Sequence, residues 1–154
     1  MTDLRTPQYQ GLIGEKLVIE WVEDQRLVWM YGKDLMALDR RLMELPHNDV
    51  LYRVSERYRR RIKELCGAEH NRLLDLVREY KVSTTPETNQ RGFPDLMVRA
   101  NGLTFIEVKT NTANLLQSQR RFLSLARNFA FDCLLARVKI GVRRTSLSIE
   151  SLLV

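Results

Sequence analysis

Asp95, Glu107, Lys109 and Gln119 are the side chains whose types and spacing suggest chemistry. Glu107 and Lys109 stand two apart in the apolar, β-rich run Leu103 to Lys109, and residues two apart on a strand point to the same face. Asp95 lies ahead of a second such run, Leu96 to Arg99, and Asn101-Gly102 between the two runs signals a hairpin. A two-residue loop would pair Asp95 with Val108 and turn it away from Glu107. A three-residue loop Ala100-Asn101-Gly102, with Gly102 in the left-handed position of a bulge, sets Asp95 opposite Glu107. Two carboxylates side by side repel unless a cation sits between them, and hard oxygen ligands suit Mg²⁺ or Mn²⁺. A neighbouring lysine would stabilise negative charge on a reacting phosphate or orient the attacking water. On spacing alone, the same residues would also serve as a cross-strand ion pair on a solvated sheet face. Gln119 lies four after Leu115 and three before Phe122, on the apolar stripe of a helix, where an amide needs a partner.

The elements that must position these groups divide the chain in two. Residues 11–25 carry apolar side chains around too much of a helical wheel for a surface helix and suit one packed on a sheet. Residues 26–32 read as a short strand or a turn. Amphipathic helices are predicted over 33–45, 50–66 and 68–80, the first two separated by Pro46-His47-Asn48-Asp49. Residues 82–95 read as an irregular approach to a β-β-α-β unit: the hairpin, a helix over 113–131 and an alternating strand over 133–142. Residues 146–154 are ambiguous. The fold class expected is α/β, a central mixed sheet covered by helices, in one domain spanning 1–154. Within it 1–32 would hold the first core helix and possible strand, 33–81 a helical insertion, and 82–154 the catalytic unit.

At this point the residues resemble a known family. GFPDLMV (92–98), FIEVKT (105–110), then Leu115 and Gln119 ahead of an apolar helix, are similar to the VRR-NUC domain, the virus-type replication-repair nuclease of the PD-(D/E)xK superfamily. The likeness covers about residues 90–142. It implies a restriction-endonuclease-like core and metal-dependent cleavage of branched or flapped DNA, including Holliday junctions. It also implies metal binding by Asp95 and Glu107 with the Val108 carbonyl as a further ligand, catalytic or site-organising roles for Lys109 and Gln119, and a homodimer. The family's first-helix glutamate would be Glu15 or Glu69; Glu15 is favoured because the buried character of its helix suits one lying against the sheet.

Composition agrees with an anionic partner: 25 Lys and Arg against 19 Asp and Glu give a net charge of +6. Residues 53–64 hold six of the basic side chains against two acidic ones, and Arg57, Arg60 and Arg61 fall on one side of a helix. They are expected to hold nucleic-acid phosphates, as is Arg120 beside Gln119; the alternative is an ordinary solvated face. A zinc site from Cys66, His70, Cys133 and His47 matches no zinc spacing, and the cysteines read as buried thiols. No membrane span or signal peptide is apparent, so a cytoplasmic protein is expected. The second reading is a non-catalytic DNA-binding or assembly module that keeps the nuclease fold.

Overall fold

The computed structural model describes residues 7–83, 92–141 and 143–151. The chain opens with helix α1 (Pro7–Asp24) and strand β1 (Val28–Tyr31), followed by a 3₁₀ segment, Gly32–Leu38. Helices α2 (Arg40–Met43), α3 (Val50–Cys66) and α4 (His70–Val82) come next. Strands β2 (Leu96–Arg99) and β3 (Leu103–Thr110), helix α5 (Gln117–Asn128), and strands β4 (Asp132–Ile140) and β5 (Thr145–Ser151) complete it. The sheet order is β1-β2-β3-β4-β5, with only β3 and β4 parallel. This is a mixed α/β fold built on a five-stranded sheet. No described helix is long and apolar enough to cross a membrane.

Both faces of the sheet are covered because its strands carry apolar side chains on both. On one face Val18 and Val22 of α1 pack on Leu96, Val98, Ile106, Ala136 and Val138. On the other, α3, α4 and α5 close over Met97, Phe105 and Cys133. There Phe122 sets its ring edge-on to Tyr80, Phe93 and Phe105, with centroids 5.2–5.7 Å apart. Such pairing adds about 0.5–1.5 kcal/mol each beyond burial. The α1 face and the α5 face meet at the rim where β2 begins and β3 ends.

Three expectations are corrected. Residues 33–45 form the 3₁₀ segment and the single turn α2 in place of one amphipathic helix. Three residues per turn stacks Leu35 over Leu38, both buried, and Arg59 of α3 takes the Ala37 carbonyl at 3.2 Å, a contact no local pattern discloses. The helix expected over 113–131 begins at Gln117, because Arg137 of β4 holds the Asn111 and Ala113 carbonyls at 2.8 and 3.0 Å. Gly102 does not take the left-handed conformation. The hairpin is closed by Glu69, whose carboxylate oxygens each accept the Leu103 N–H at 3.2 Å. Most of the irregular stretch 82–95, Val142 of the last predicted strand, and 152–154 lie outside the described residues.

Candidate functional site

Asp95 is placed by the turn before it. β1 runs into Gly32, whose N–H donates to the Asp95 carbonyl at 3.0 Å, and a Cβ at Gly32 would sit inside the Pro94 carbonyl group. A Cβ at Gly92 would likewise overlap the Tyr80 hydroxyl. Only glycine allows both close approaches, so the Gly-Phe-Pro-Asp segment is clamped between β1 and α4. Leu96 then pairs with Ile106 and Arg99 with Leu103, the register of a three-residue loop. Continued by one residue, it sets Asp95 opposite Glu107. Asp95 Oδ2 accepts the Val108 N–H at 2.7 Å.

Glu107 is 1% exposed, in the middle of the sheet's rim. Its Oε1 accepts from Gln119 Nε2 at 3.0 Å and has Lys109 Nζ at 3.9 Å, while its Oε2 has no hydrogen-bond partner. Burial first, and then the neighbouring Asp95 carboxylate, raise its pKa far above the usual carboxylate range, with Lys109 opposing. Gln119 is fixed from its other end, since its Oε1 accepts the Leu116 N–H at 2.8 Å and so caps the first turn of α5. The amide on the apolar stripe thus finds its partner in the buried acid.

A cleft of about 410 Å³ opens over these groups. Asp95, Glu107, Lys109 and Gln119 line one side, and Glu15, with Gln8 from the first turn of α1, the other. Burial and then the Asp95 charge raise the Glu15 pKa, and Lys33 lowers it. Glu69 is elsewhere, held by Arg72 at 2.9 Å and Arg99 at 3.1 Å beside the Leu103 N–H. Half-buried there, it is a structural clasp across the hairpin. Val108 lines the cleft as well, with its N–H bound to Asp95.

The basic residues stand apart from the cleft. Arg57, Arg60, Arg61 and Arg120 are exposed, as a phosphate-contacting set requires, but none lines the cavity. Arg60 pairs with Glu56 at 3.4 Å, and the Arg61 guanidinium lies 6.0 Å from the Tyr58 ring centroid. Cys66 and Cys133 are buried, and burial pushes both thiols up to about 12.

Sequence reasoning missed two supports of the site. Asn111, at φ 50°, closes the end of β3: its Oδ1 accepts the Ile140 N–H at 2.9 Å and its Nδ2 donates to Gln10 of α1 at 3.1 Å. An asparagine directly after a strand, a residue that tolerates the left-handed region, was the available signal. Lys33, whose charge acts on Glu15, lies just beyond the stretch read as a short strand or a turn, and nothing local marked it.

Among the described residues, no three His, Cys, Asp or Glu side chains are gathered into a ready-made metal cage. Mg²⁺ commonly uses one or two carboxylates and keeps its waters, so the test of fit falls on Glu107 itself. An acid buried to 1% with an oxygen outside any hydrogen bond needs either a proton, shared with the adjoining Asp95 carboxyl, or a cation, and the Asp95 and Glu15 carboxylates that line the cleft with it are the hard oxygen ligands such a cation takes. No protein-family model, curated protein or solved structure matches this chain.

Proposed function

We propose that this chain is a VRR-NUC-like nuclease of the PD-(D/E)xK type that hydrolyses DNA phosphodiesters with the help of Mg²⁺ or Mn²⁺. The observation that carries the reading is the buried Glu107, one oxygen held by Gln119 and the other without a partner, on the same rim as Asp95. The β2-β3-α5-β4 unit supplies the β-β-α-β frame of the resemblance, with α3 and α4 as the inserted helices.

Asp95 and Glu107 would hold the cation, with Glu15 completing its surroundings directly or through water. Bound there, a divalent cation lowers the pKa of water and polarises a phosphate. Lys109 brings positive charge to where a phosphate gains negative charge as it is attacked. Gln119 fixes the Glu107 carboxylate in one orientation, as partners of metal ligands do. The exposed arginines of α3 and Arg120 would hold flanking phosphates, and a two-fold dimer would present two clefts to two strands.

The deciding experiment incubates the protein with linear, flapped and four-way-junction DNA, with Mg²⁺ or Mn²⁺ or with chelator. Cleavage that needs the metal and disappears in Asp95→Asn and Glu107→Gln is expected, with branched DNA cut in preference to linear. Metal-independent cutting, or activity retained in either variant, overturns the assignment. No cutting at all, with DNA binding intact, favours the non-catalytic module.

A further inference from the structure

The sheet ends on β5, and among the described residues no strand pairs with its outer edge. The opposite edge strand, β1, is short, which is one way a sheet avoids pairing with a neighbour. β5 has no such protection: it pairs with β4 along the whole of Thr145–Ser151 and carries no proline, no lysine and a single charge, Glu150. Which backbone groups it leaves free follows from β4. The Ile140 N–H donates to Asn111 Oδ1 and the Val138 carbonyl accepts the Asn111 N–H, so both residues turn their backbone groups toward β3. The Gly141 N–H, one residue on, donates across the hairpin to the Arg144 carbonyl. Thr145 and Leu147, the partners of Ile140 and Val138, and Ile149 in the same alternation therefore present N–H and C=O outward. The side chains of Leu147 and Ile149 are only half-buried, at the margin of the core beneath α1.

The edge matches itself. An antiparallel copy centred on Ser148, the midpoint of β5, sets Leu147 opposite Ile149 of the second copy, twice by symmetry, and Thr145 opposite Ser151. Outward-pointing backbone then meets outward-pointing backbone in each of these pairs, whereas a centre between two residues would mismatch them. On the α1 face the half-buried leucine and isoleucine cover one another. On the other face Glu150 comes opposite Ser146 of the second copy, which already pairs with Lys139 of β4. Glu150 and that Lys139 stand about 10 Å apart at Cα with only a serine between them, within reach of two long side chains. Inside one protomer the same two charges lie about 13 Å apart along the strands, and neither has an ion-pair partner among the described residues. We propose that β5 pairs antiparallel with β5 of a second copy, joining two five-stranded sheets into one about a two-fold axis at Ser148. The proposal gives the dimer of the nuclease reading its interface, and rests on that reading only for the use of two clefts. The axis leaves those clefts at opposite rims of the joined sheet, about 24 Å apart across five strand spacings.

The test uses the whole chain with neither DNA nor metal. Sedimentation of the wild type over a range of concentrations should show a reversible monomer–dimer equilibrium. Ser148 is exposed, so Ser148→Lys should keep the wild-type melting curve, but it sets two ammonium groups face to face and should weaken association at least about tenfold. Glu150→Lys should weaken it about threefold or more, and Lys139→Glu added to that change should restore it. Ser148 meets its mate in the narrow, non-hydrogen-bonded position, where Cα atoms lie about 4.5 Å apart, so Ser148→Cys should form a disulfide between copies on mild oxidation. Ser146→Cys, about 13 Å from its own mate, should not, and the native Cys66 and Cys133 are buried. A chain that stays monomeric at every concentration, a dimer that Ser148→Lys leaves unchanged, or equal cross-linking by both cysteine variants overturns the proposal. Cleavage with metal is scored separately. A monomer that cuts sinks this inference alone, and a dimer through β5 that never cuts sinks the nuclease reading alone.

Discussion

An unfolded glutamate loses its proton near its usual pKa of 4.5, whereas folded Glu107 keeps it much further up the scale, because burial and then Asp95 disfavour its charge. The folded state therefore binds more protons over that interval, and stability must fall as pH rises through it. The melting temperature of the metal-free chain should drop steadily from about pH 5 to about pH 9, and Glu107→Gln should remove most of that slope. Added Mg²⁺ should raise the melting temperature more at the alkaline end, where the cation no longer competes with a proton. A flat profile would show that Glu107 is satisfied in a way its surroundings do not reveal. Gln119→Ala should cost about ten- to a hundredfold in cleavage, and Glu15→Gln should cost activity that high Mn²⁺ partly restores. Glu69→Ala should instead lower stability by about 1–3 kcal/mol and leave turnover of the folded enzyme unchanged, since its carboxylate serves Arg72, Arg99 and Leu103. The sequence disclosed Asp95, Glu107 and Lys109 because strand periodicity is local. It favoured Glu15 over Glu69 only through the buried character of the Glu15 helix, and tertiary packing is what brings Glu15 to the cleft.

The hairpin was legible to the residue, since alternation and the apolar runs of β2 and β3 leave one loop length that brings the acids together. Its turn conformation was not, because the group that closes it, Glu69, sits far back in the chain. The start of α5 was hidden for the same reason: Leu115 and Leu116 continue the apolar pattern, but Arg137 holds the carbonyls just before them. Contacts of this kind make particular positions unforgiving. Gly32→Ala drives a methyl group into the backbone that carries Asp95, and should cost at least about 1–3 kcal/mol together with the activity of whatever folds. The exposed side of α3 should behave oppositely. Arg57, Arg60 and Arg61 changed together to Ala should leave melting nearly unchanged, because an exposed pair such as Arg60 with Glu56 contributes little. DNA binding should weaken for all sequences alike, and its logarithmic salt slope should flatten by up to about three. If affinity is unaffected, this face meets no phosphates.

Across the molecule, the sheet separates two cores that share only its strands, one beneath α1 and one beneath α3, α4 and α5. Each carries a different reporter. Cys66 and Cys133 lie in the second core, their thiols pushed up to about 12, so thiol reagents should modify neither until that core opens. Labelling in the native state at the rate of a free thiol would mean that this face is far looser than its packing. The cleft belongs to neither core alone. Glu15 arrives from the first, Gln119 from the second, and Asp95 and Glu107 from the strands between. Gln10 meets Asn111 across 101 residues of chain. A ribosome delivers these segments one after another, and α1 has no sheet to rest on until β3 and β4 have emerged and paired in parallel, the slow, long-range step of such a topology. Partly made or misfolded copies therefore carry the acids without the cleft, and on the proposed nuclease reading they cannot yet cut DNA.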